Sequence, residues 1–182
     1  RPMIERGYPA LVQRLKQSGI SVVSAQPTTA DQLDRYWMLL GRVSGREAQG
    51  REMIRRFHRA VTDFRALSAR VERRQRVYFE AIHSKMKTFA PTAMAIFALE
   101  TAGGVNVAAD APVRAENNIA VYGKERLLSH ADEIDVFLSQ QGIMNRVSVA
   151  EIMAEPGFRV IEAVKTGRVY QVDETIVSRP TM

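Results

Sequence analysis

The chain contains one long stretch without a helix breaker, and this stretch limits the folds that the chain can adopt. Residues 51–78 contain neither glycine nor proline, and their apolar side chains recur at alternating steps of three and four, which places them on one helix face. Ser44 and Glu47 fit a capping box at the start of a helix. We therefore predict one helix over residues 45–73, roughly 40 Å long at 1.5 Å per residue. Its predicted apolar face consists of Met53, Phe57, Ala60, Phe64, Leu67 and Val71.

Such a helix is longer than the covering of one small sheet requires, so it is predicted to connect two bodies. Upstream, the pattern indicates a helix from Pro9 to Gly19, a strand at residues 20–23 and a second helix that begins with a capping box at residues 29–32. Downstream, predicted strands alternate with predicted helices, which favours a mainly parallel sheet covered on both faces. These strands are at residues 76–82, 119–121, 134–138 and 168–172, and the helices are near Met94, at 124–130, after a capping box at 148–151, and at 158–165.

The charge of the chain is concentrated in the predicted long helix. The formal net charge is +6 and the isoelectric point is near 10.0, which alone would favour a nucleic-acid partner. Residues 42–76, however, contain eleven arginines against four acidic residues, and the rest of the chain is nearly neutral. The polar side of the helix lacks interleaved aromatic residues, so a solvated face is favoured and nucleic-acid binding is the alternative.

Few residues offer catalytic or metal-binding chemistry. The chain has no cysteine, which excludes disulfides, thiolate zinc sites and cysteine nucleophiles. His58, His83 and His130 lack the spacing of a metal site; His83 is the best of the three because it follows a strand, where ligands gather in α/β sheets. The pair Gly103-Gly104 fits a helix end and is not a nucleotide-binding motif. The sequence therefore predicts no enzyme, no metal site and no cofactor. It also contains no stretch of about 18 consecutive apolar residues, so no membrane span is predicted.

Several short motifs occur in an order that resembles a known family. Residues 100–108 read E-T-A-G-G-V-N-V-A, residues 125–128 read E-R-L-L, and residues 155–158 and 163–170 read E-P-G-F and A-V-K-T-G-R-V-Y. With L-K-Q-S-G-I-S-V-V at 15–23, L-G-R-V-S-G at 40–45 and R-P at 179–180, the chain resembles the C-terminal two-thirds of periplasmic substrate-binding proteins. Those proteins serve ABC importers of ferric siderophores, haem and cobalamin. The chain departs from the family pattern at Phe158, where the family has tryptophan. It also departs at residues 133–135, which read E-I-D where the family has P-D before the second strand.

The resemblance implies an α/β fold with one Rossmann-like parallel-sheet lobe and the remnant of another lobe, joined by one long helix. Residues 1–43 would be the remnant of the first lobe, residues 44–74 the inter-lobe helix and residues 75–182 the second lobe. The chain starts at Arg1 without an initiator methionine, so we expect a removed targeting segment or a fragment. In a fragment, residues 1–41 would pack against another copy or be the least protected part of the chain.

The resemblance also implies a function. The chain would belong to the substrate-binding component of an ABC importer, at the periplasmic or extracellular face of the cytoplasmic membrane, and its partners would be a metal chelate and a permease. A chelatase-like enzyme on a similar two-lobed scaffold is a further alternative, but it would need a metal-handling His/Glu pair, and the sequence shows no obvious partner for His83.

Site residues follow from the same resemblance. The ligand surface of the second lobe would be built by residues 83–91 and 109–122 with the segment near Arg179. Aromatic rings would lie on a flat chelate and cations would face its anionic groups. The candidates are His83, Lys85, Phe89, Arg114, Tyr122 and Arg179. Glu125 aligns with the family's second-lobe glutamate, which pairs with arginines of the permease.

Overall fold

A six-stranded mixed sheet forms the centre of the structure, a computed structural model that describes residues 7–23, 25–113 and 117–177. The strand order is β4-β2-β1-β5-β6, with β3 paired to the start of β1. The pairings of β1 with β3, β1 with β5 and β5 with β6 are parallel, whereas β2 pairs antiparallel with both β1 and β4. This arrangement confirms the predicted α/β class and the mainly parallel sheet. The strands are β1 (Arg76–Ile82), β2 (Lys87–Phe89), β3 (Val105–Asn106), β4 (Ile119–Val121), β5 (Val136–Gln141) and β6 (Val169–Asp173).

Helices cover the two faces of the sheet because the central strand β1 is apolar on both sides. Tyr78 on one face packs against Phe137, with ring centroids 5.2 Å apart, and Phe79 on the other packs against Phe89 at 4.9 Å. The two apolar cores are therefore separated by the sheet itself. The helices are α1 (Pro9–Gln17), α2 (Leu33–Ser44), α3 (Glu47–Ser68), α4 (Met94–Thr101), α5 (Lys124–Ser129), α6 (Val149–Ala154), α7 (Glu162–Lys165) and α8 (Glu174–Val177), with 3-10 turns at Ala30–Gln32, His83–Lys85 and Phe158–Val160.

The long helix exists, but it is shorter than predicted. Helix α3 has 22 residues and ends at Ser68 instead of residue 73. The predicted capping box at its start is wrong, because Ser44 is the last residue of α2 and its hydroxyl donates to the Leu40 carbonyl at 2.7 Å. Gly45 takes a left-handed conformation (φ 69°), which ends α2 and turns the chain into α3. The two helices therefore form a hairpin.

The predicted apolar face of the long helix is only half correct. Phe57 contacts Trp37 of α2 at 5.3 Å and Phe97 of α4 at 5.9 Å between ring centroids. Phe64 and Leu67, predicted as buried, are 56% and 59% exposed. The reason is the position of the packing partners. Helix α2 contacts α3 at Gly50 and Phe57, helix α4 contacts it at Phe57, and Gly103 just after α4 contacts it at Ser68. Phe64 and Leu67 lie to one side of these contacts.

The segment before α2 also differs from expectation. Residues 20–23 form no strand within the described part of the chain, because a β-branched run needs a neighbouring strand to accept its backbone hydrogen bonds. The capping box predicted at residues 29–32 is absent as well, since the Gln32 side chain accepts from the backbone of Thr28 instead. The box at Ser148 and Glu151 is confirmed, with both reciprocal hydrogen bonds present. No helix in the described ranges is sufficiently long and apolar to span a membrane.

Candidate functional site

The carboxyl ends of three parallel strands meet at one edge of the sheet. There β1 leads into the 3-10 turn His83–Lys85, β5 leads into the loop of residues 142–147, and β6 leads into α8. Ligands of open α/β sheets bind at such an edge. Met86 ends the 3-10 turn with φ at 44°, a left-handed conformation that residues other than glycine rarely adopt, and connects the turn to β2.

A histidine and a buried carboxylate meet at this edge. The Glu80 side chain on β1 is fully buried, and its Oε1 lies 2.9 Å from His83 Nδ1. Its other oxygen accepts a hydrogen bond from the Ser139 hydroxyl of β5 at 2.8 Å. A buried carboxylate requires such donors because desolvation of the charge is costly. Glu80 and Ser139 therefore hold the imidazole in a defined position.

Asn145 ties the loop after β5 to the same group. Its Oδ1 accepts from the His83 backbone N–H at 2.9 Å, and its Nδ2 donates to Ser139 Oγ at 3.0 Å and to the Gln140 carbonyl at 2.7 Å. The loops after β1 and β5 are thus connected through one buried amide.

The other side of the imidazole faces a second carboxylate. Glu155, directly after α6, lies 3.5 Å from His83 Nε2 and accepts a hydrogen bond from Lys124 Nζ of α5 at 2.6 Å. The ring of Phe158 lies under this contact, 5.9 Å from the His83 ring and 5.8 Å from Lys124 Nζ. We refer to Glu80, His83, Lys124, Ser139, Asn145 and Glu155 as the His83 network.

The electrostatics of the network favour a protonated imidazole. The hydrogen bond that the His83 imidazole donates to Glu80 raises the pKa of His83, although partial burial opposes the shift. The hydrogen bond from Lys124 lowers the pKa of Glu155, so this carboxylate stays ionised. Two carboxylates on opposite sides of one ring stabilise the form that has an N–H on each side.

This shift predicts a pH-dependent stability. Because the pKa of His83 is higher in the folded protein than in the unfolded chain, the stabilisation is fully present below about pH 6.5 and is lost as the pH rises through the folded-state value. The free energy of unfolding should fall in that window by at most about 1.4 kcal/mol per pH unit. In His83→Gln this fall should disappear, whereas His58→Gln, at an exposed histidine, should retain it. Urea unfolding at a series of pH values measures the difference, and parallel curves for wild type and His83→Gln would contradict it.

The sequence matches a family model over nearly its whole length. The model is that of the periplasmic binding protein family, and it matches residues 6–175. The chain belongs to the periplasmic binding protein family. This confirms the resemblance that the motifs at residues 100–108 and 163–170 indicated.

Solved structures agree with this family at the level of the fold. A possible iron-binding periplasmic solute-binding protein of Staphylococcus epidermidis superposes with a TM-score of 0.77 at 23% identity, with 97% of this chain and 66% of that chain covered. The periplasmic haem-binding protein RhuT of Roseiflexus superposes with a TM-score of 0.75 at 18% identity, with 93% of this chain and 64% of that chain covered. The vitamin B12-binding protein BtuF of Vibrio cholerae superposes with a TM-score of 0.64 at 19% identity, with 95% of this chain and 64% of that chain covered. The present chain thus spans just under two thirds of the length of these structures. No curated protein sequence matches it significantly.

Two of the predicted ligand residues of this periplasmic binding protein are core residues. Phe89 is 2% exposed and packs on Phe79, so its ring has no free face for a chelate. Tyr122 is 5% exposed, lies beside Tyr78, and donates to Asp110 at 3.4 Å; burial raises its pKa to about 12. Both predictions are corrected here: Phe89 is the last residue of β2 and Tyr122 directly follows β4, and each side chain lies in one of the two apolar cores.

The remaining predicted residues lie in different environments. His83 is at the centre of the network, and Lys85 is exposed on the 3-10 turn beside it. Arg114 and Arg179 lie outside the described residues. Glu125 is exposed in the first turn of α5, where its side chain forms no ion pair or hydrogen bond with the described residues. The turn before it contains Gly123 with φ at 86°, a conformation that favours glycine.

The sequence analysis missed the partners of His83 and two exposed apolar residues. Glu80 interrupts the apolar run of residues 77–82 three residues before His83. A single carboxylate in a buried strand could have indicated a polar partner for His83. Glu155 is distant in sequence, so no local pattern indicates it. Ile143 and Met144 lie in the loop after β5 and are 74% and 56% exposed. His83 therefore has the carboxylate partners that the chelatase alternative requires, although the described residues contain no group of three or more side chains suited to a metal ion.

A separate pocket of about 250 Å³ lies near the start of α2. It is lined by residues between positions 25 and 39, among them Pro27, Arg35 and Tyr36. It shares no residue with the His83 network.

Proposed function

We propose that this chain is part of the substrate-binding component of an ABC importer, which captures a metal chelate and delivers it to a permease. Membership of the periplasmic binding protein family over residues 6–175 is the observation that carries the proposal. The function is exerted at the periplasmic or extracellular face of the cytoplasmic membrane. No enzymatic step is part of it.

The ligand surface of this proposal is the carboxyl edge of the sheet. His83 and Lys85 supply polar and cationic groups on the turn after β1, and the exposed Ile143 and Met144 supply apolar contact on the loop after β5. Arg114 and Arg179 remain candidates for anionic groups of the ligand. A surface that combines apolar contact with cations suits a large, partly apolar chelate with peripheral acidic groups.

The ligand class comes from similar folds. Two of the solved structures are named for binding haem and vitamin B12, and another belongs to an Fe3+-hydroxamate transport system of Saccharomonospora viridis. All three ligands are metal chelates. We therefore propose haem, a cobalamin or a ferric siderophore as the ligand of the complete protein.

The docking surface of this proposal is the start of α5. The exposed Glu125 carboxylate has no partner among the described residues, so it is available to arginines of a permease. Self-association through residues 1–41 stays a prediction; Tyr8 and Val23, which are 65% and 58% exposed, are among the apolar residues that a second copy would cover.

A thermal-shift panel tests the ligand class. The protein is heated with haemin, cyanocobalamin or ferrichrome, and with metal-free protoporphyrin and desferrichrome as controls. One chelate is expected to raise the melting temperature because a ligand at 100 times its Kd adds about 2.7 kcal/mol to stability. His83→Gln and Lys85→Gln should reduce that shift, whereas Lys165→Gln, at an exposed lysine paired with Glu162, should not. If no metal chelate raises the melting temperature of the complete protein, the proposed function is wrong.

A further inference from the structure

The His83 network connects the two surfaces of the proposed function. His83 lies on the turn of the ligand surface, and Lys124 directly precedes Glu125 of the docking surface. Between them stands Glu155, which contacts His83 Nε2 at 3.5 Å and Lys124 Nζ at 2.6 Å. These contacts join the end of β1, the end of α6 and the start of α5 through three side chains.

Burial makes the contacts of His83 unequal. Glu80 is fully buried and has no access to water, whereas the Glu155 side chain is 24% exposed. A protonated imidazole donates one N–H to each carboxylate. A neutral imidazole keeps a single N–H, and loss of the donor to Glu80 would leave a buried carboxylate with Ser139 as its donor. The neutral ring therefore keeps its N–H toward Glu80, and the contact with Glu155 is the one that is lost.

Other charged groups around the ring do not change which of the two contacts is lost. Glu151 on α6 is within electrostatic reach of His83 but is held by the capping box with Ser148. Lys85 is exposed on the turn that carries His83. At the far end of α5, His130 contacts Glu133 at 3.2 Å and makes no contact with His83.

We propose that His83 and Glu155 are positioning residues that hold the docking helix α5 against the ligand-bearing turn, and that loss of the His83 proton releases this link. The inference rests on the proposed function for the roles of the two surfaces, but the link itself is a property of the chain alone. When His83 is protonated, Glu155 is shared between the imidazolium and Lys124. When it is neutral, Glu155 turns to Lys124 and water, and the side-chain link between the turn and the helix is lost. The backbone contact remains, in which the N–H groups of Tyr122 and Gly123 donate to the Met86 carbonyl at 3.4 and 3.0 Å.

Amide NMR of the ¹⁵N-labelled chain during a pH titration tests the link without ligand or permease. In the wild type, the amides of Lys85 and Met86 and those of Glu125 and Arg126 should titrate with one shared midpoint above 6.5. In His83→Gln this midpoint should be lost from both groups.

The variant Glu155→Gln separates the link from a purely local effect. The amides of the turn should still titrate with His83, because Glu80 remains in place, whereas the amides of α5 should lose the shared midpoint. Glu162→Gln, which removes an exposed carboxylate from another surface ion pair, should leave both groups as in the wild type. Because Glu155 is partly exposed, this variant is expected to fold even if His83→Gln does not.

Two results would overturn the inference. One is that the α5 amides of the wild type do not follow His83, and the other is that they follow it equally in Glu155→Gln. If no chelate raises the melting temperature but the NMR titration shows the shared midpoint, the proposed function is wrong and the link is kept. If a chelate binds but the α5 amides do not follow His83, the link is wrong and the proposed function is kept.

Discussion

Replacing Phe158 by alanine should lower the free energy of unfolding by about 3–5 kcal/mol. The side chain is fully buried, its ring lies 5.8 Å from that of Phe137, and it supports His83 from below. Truncation removes apolar surface and leaves a cavity that the surrounding sheet cannot fill completely. The measurement is urea unfolding, in which the midpoint should fall while the denaturant slope stays constant.

Phe64→Ala is the matched control for this variant. It makes the same chemical change at a residue that the helical pattern predicts to be buried but that is 56% exposed. Its cost should stay below about 1 kcal/mol, as for most surface substitutions. Equal losses of unfolding free energy at the two positions would mean that Phe64 is covered in solution, and the exposure described for this face of α3 would be wrong.

Glu125→Arg should weaken permease association on the order of tenfold or more, while chelate binding stays close to that of the wild type. The physical reason is that reversal places like charges against each other where a carboxylate would pair with arginine. Glu125→Ala should have a smaller effect in the same direction. The measurement is made on the complete protein. Its affinity for the permease, which is held in lipid nanodiscs, and its affinity for the chelate are determined on the same preparations.

Glu100→Arg supplies the control for the charge change alone. Glu100 is exposed on α4, far along the chain from Glu125, and its side chain forms no ion pair with the described residues. This variant should leave both quantities unchanged. Lost chelate affinity with normal permease association in Glu125→Arg would place Glu125 in the ligand site and reject its docking role.

Local patterns were sufficient for much of the fold of this periplasmic binding protein. The apolar run of β1, the capping box at Ser148 and the helix between residues 47 and 68 all depend on neighbours within a few positions, and all three are present. The short strands β2 and β3 were missed because two or three residues carry too little periodicity to be distinguished from a loop.

The orientation of the long helix illustrates where local patterns stop. The spacing of Phe57, Phe64 and Leu67 places them on one side of α3, but only the positions of Trp37 and Phe97 determine which part of that side is covered. Similarly, residues 20–23 have the composition of a strand, and a strand forms only beside a partner. Burial and pairing are properties of the assembly and not of the segment.

The sequence by itself determined the α/β class, the family and the exposed glutamate at the start of α5, because composition, periodicity and short motifs are local properties of the chain. Only the tertiary structure placed Glu155 against His83, buried Phe89 and Tyr122 in the cores, and exposed Ile143 and Met144 beside the turn. The physical reason is that strands distant in sequence end at one edge of the sheet, so the parallel pairing of β1 with β5 and of β5 with β6 decides which loops meet there.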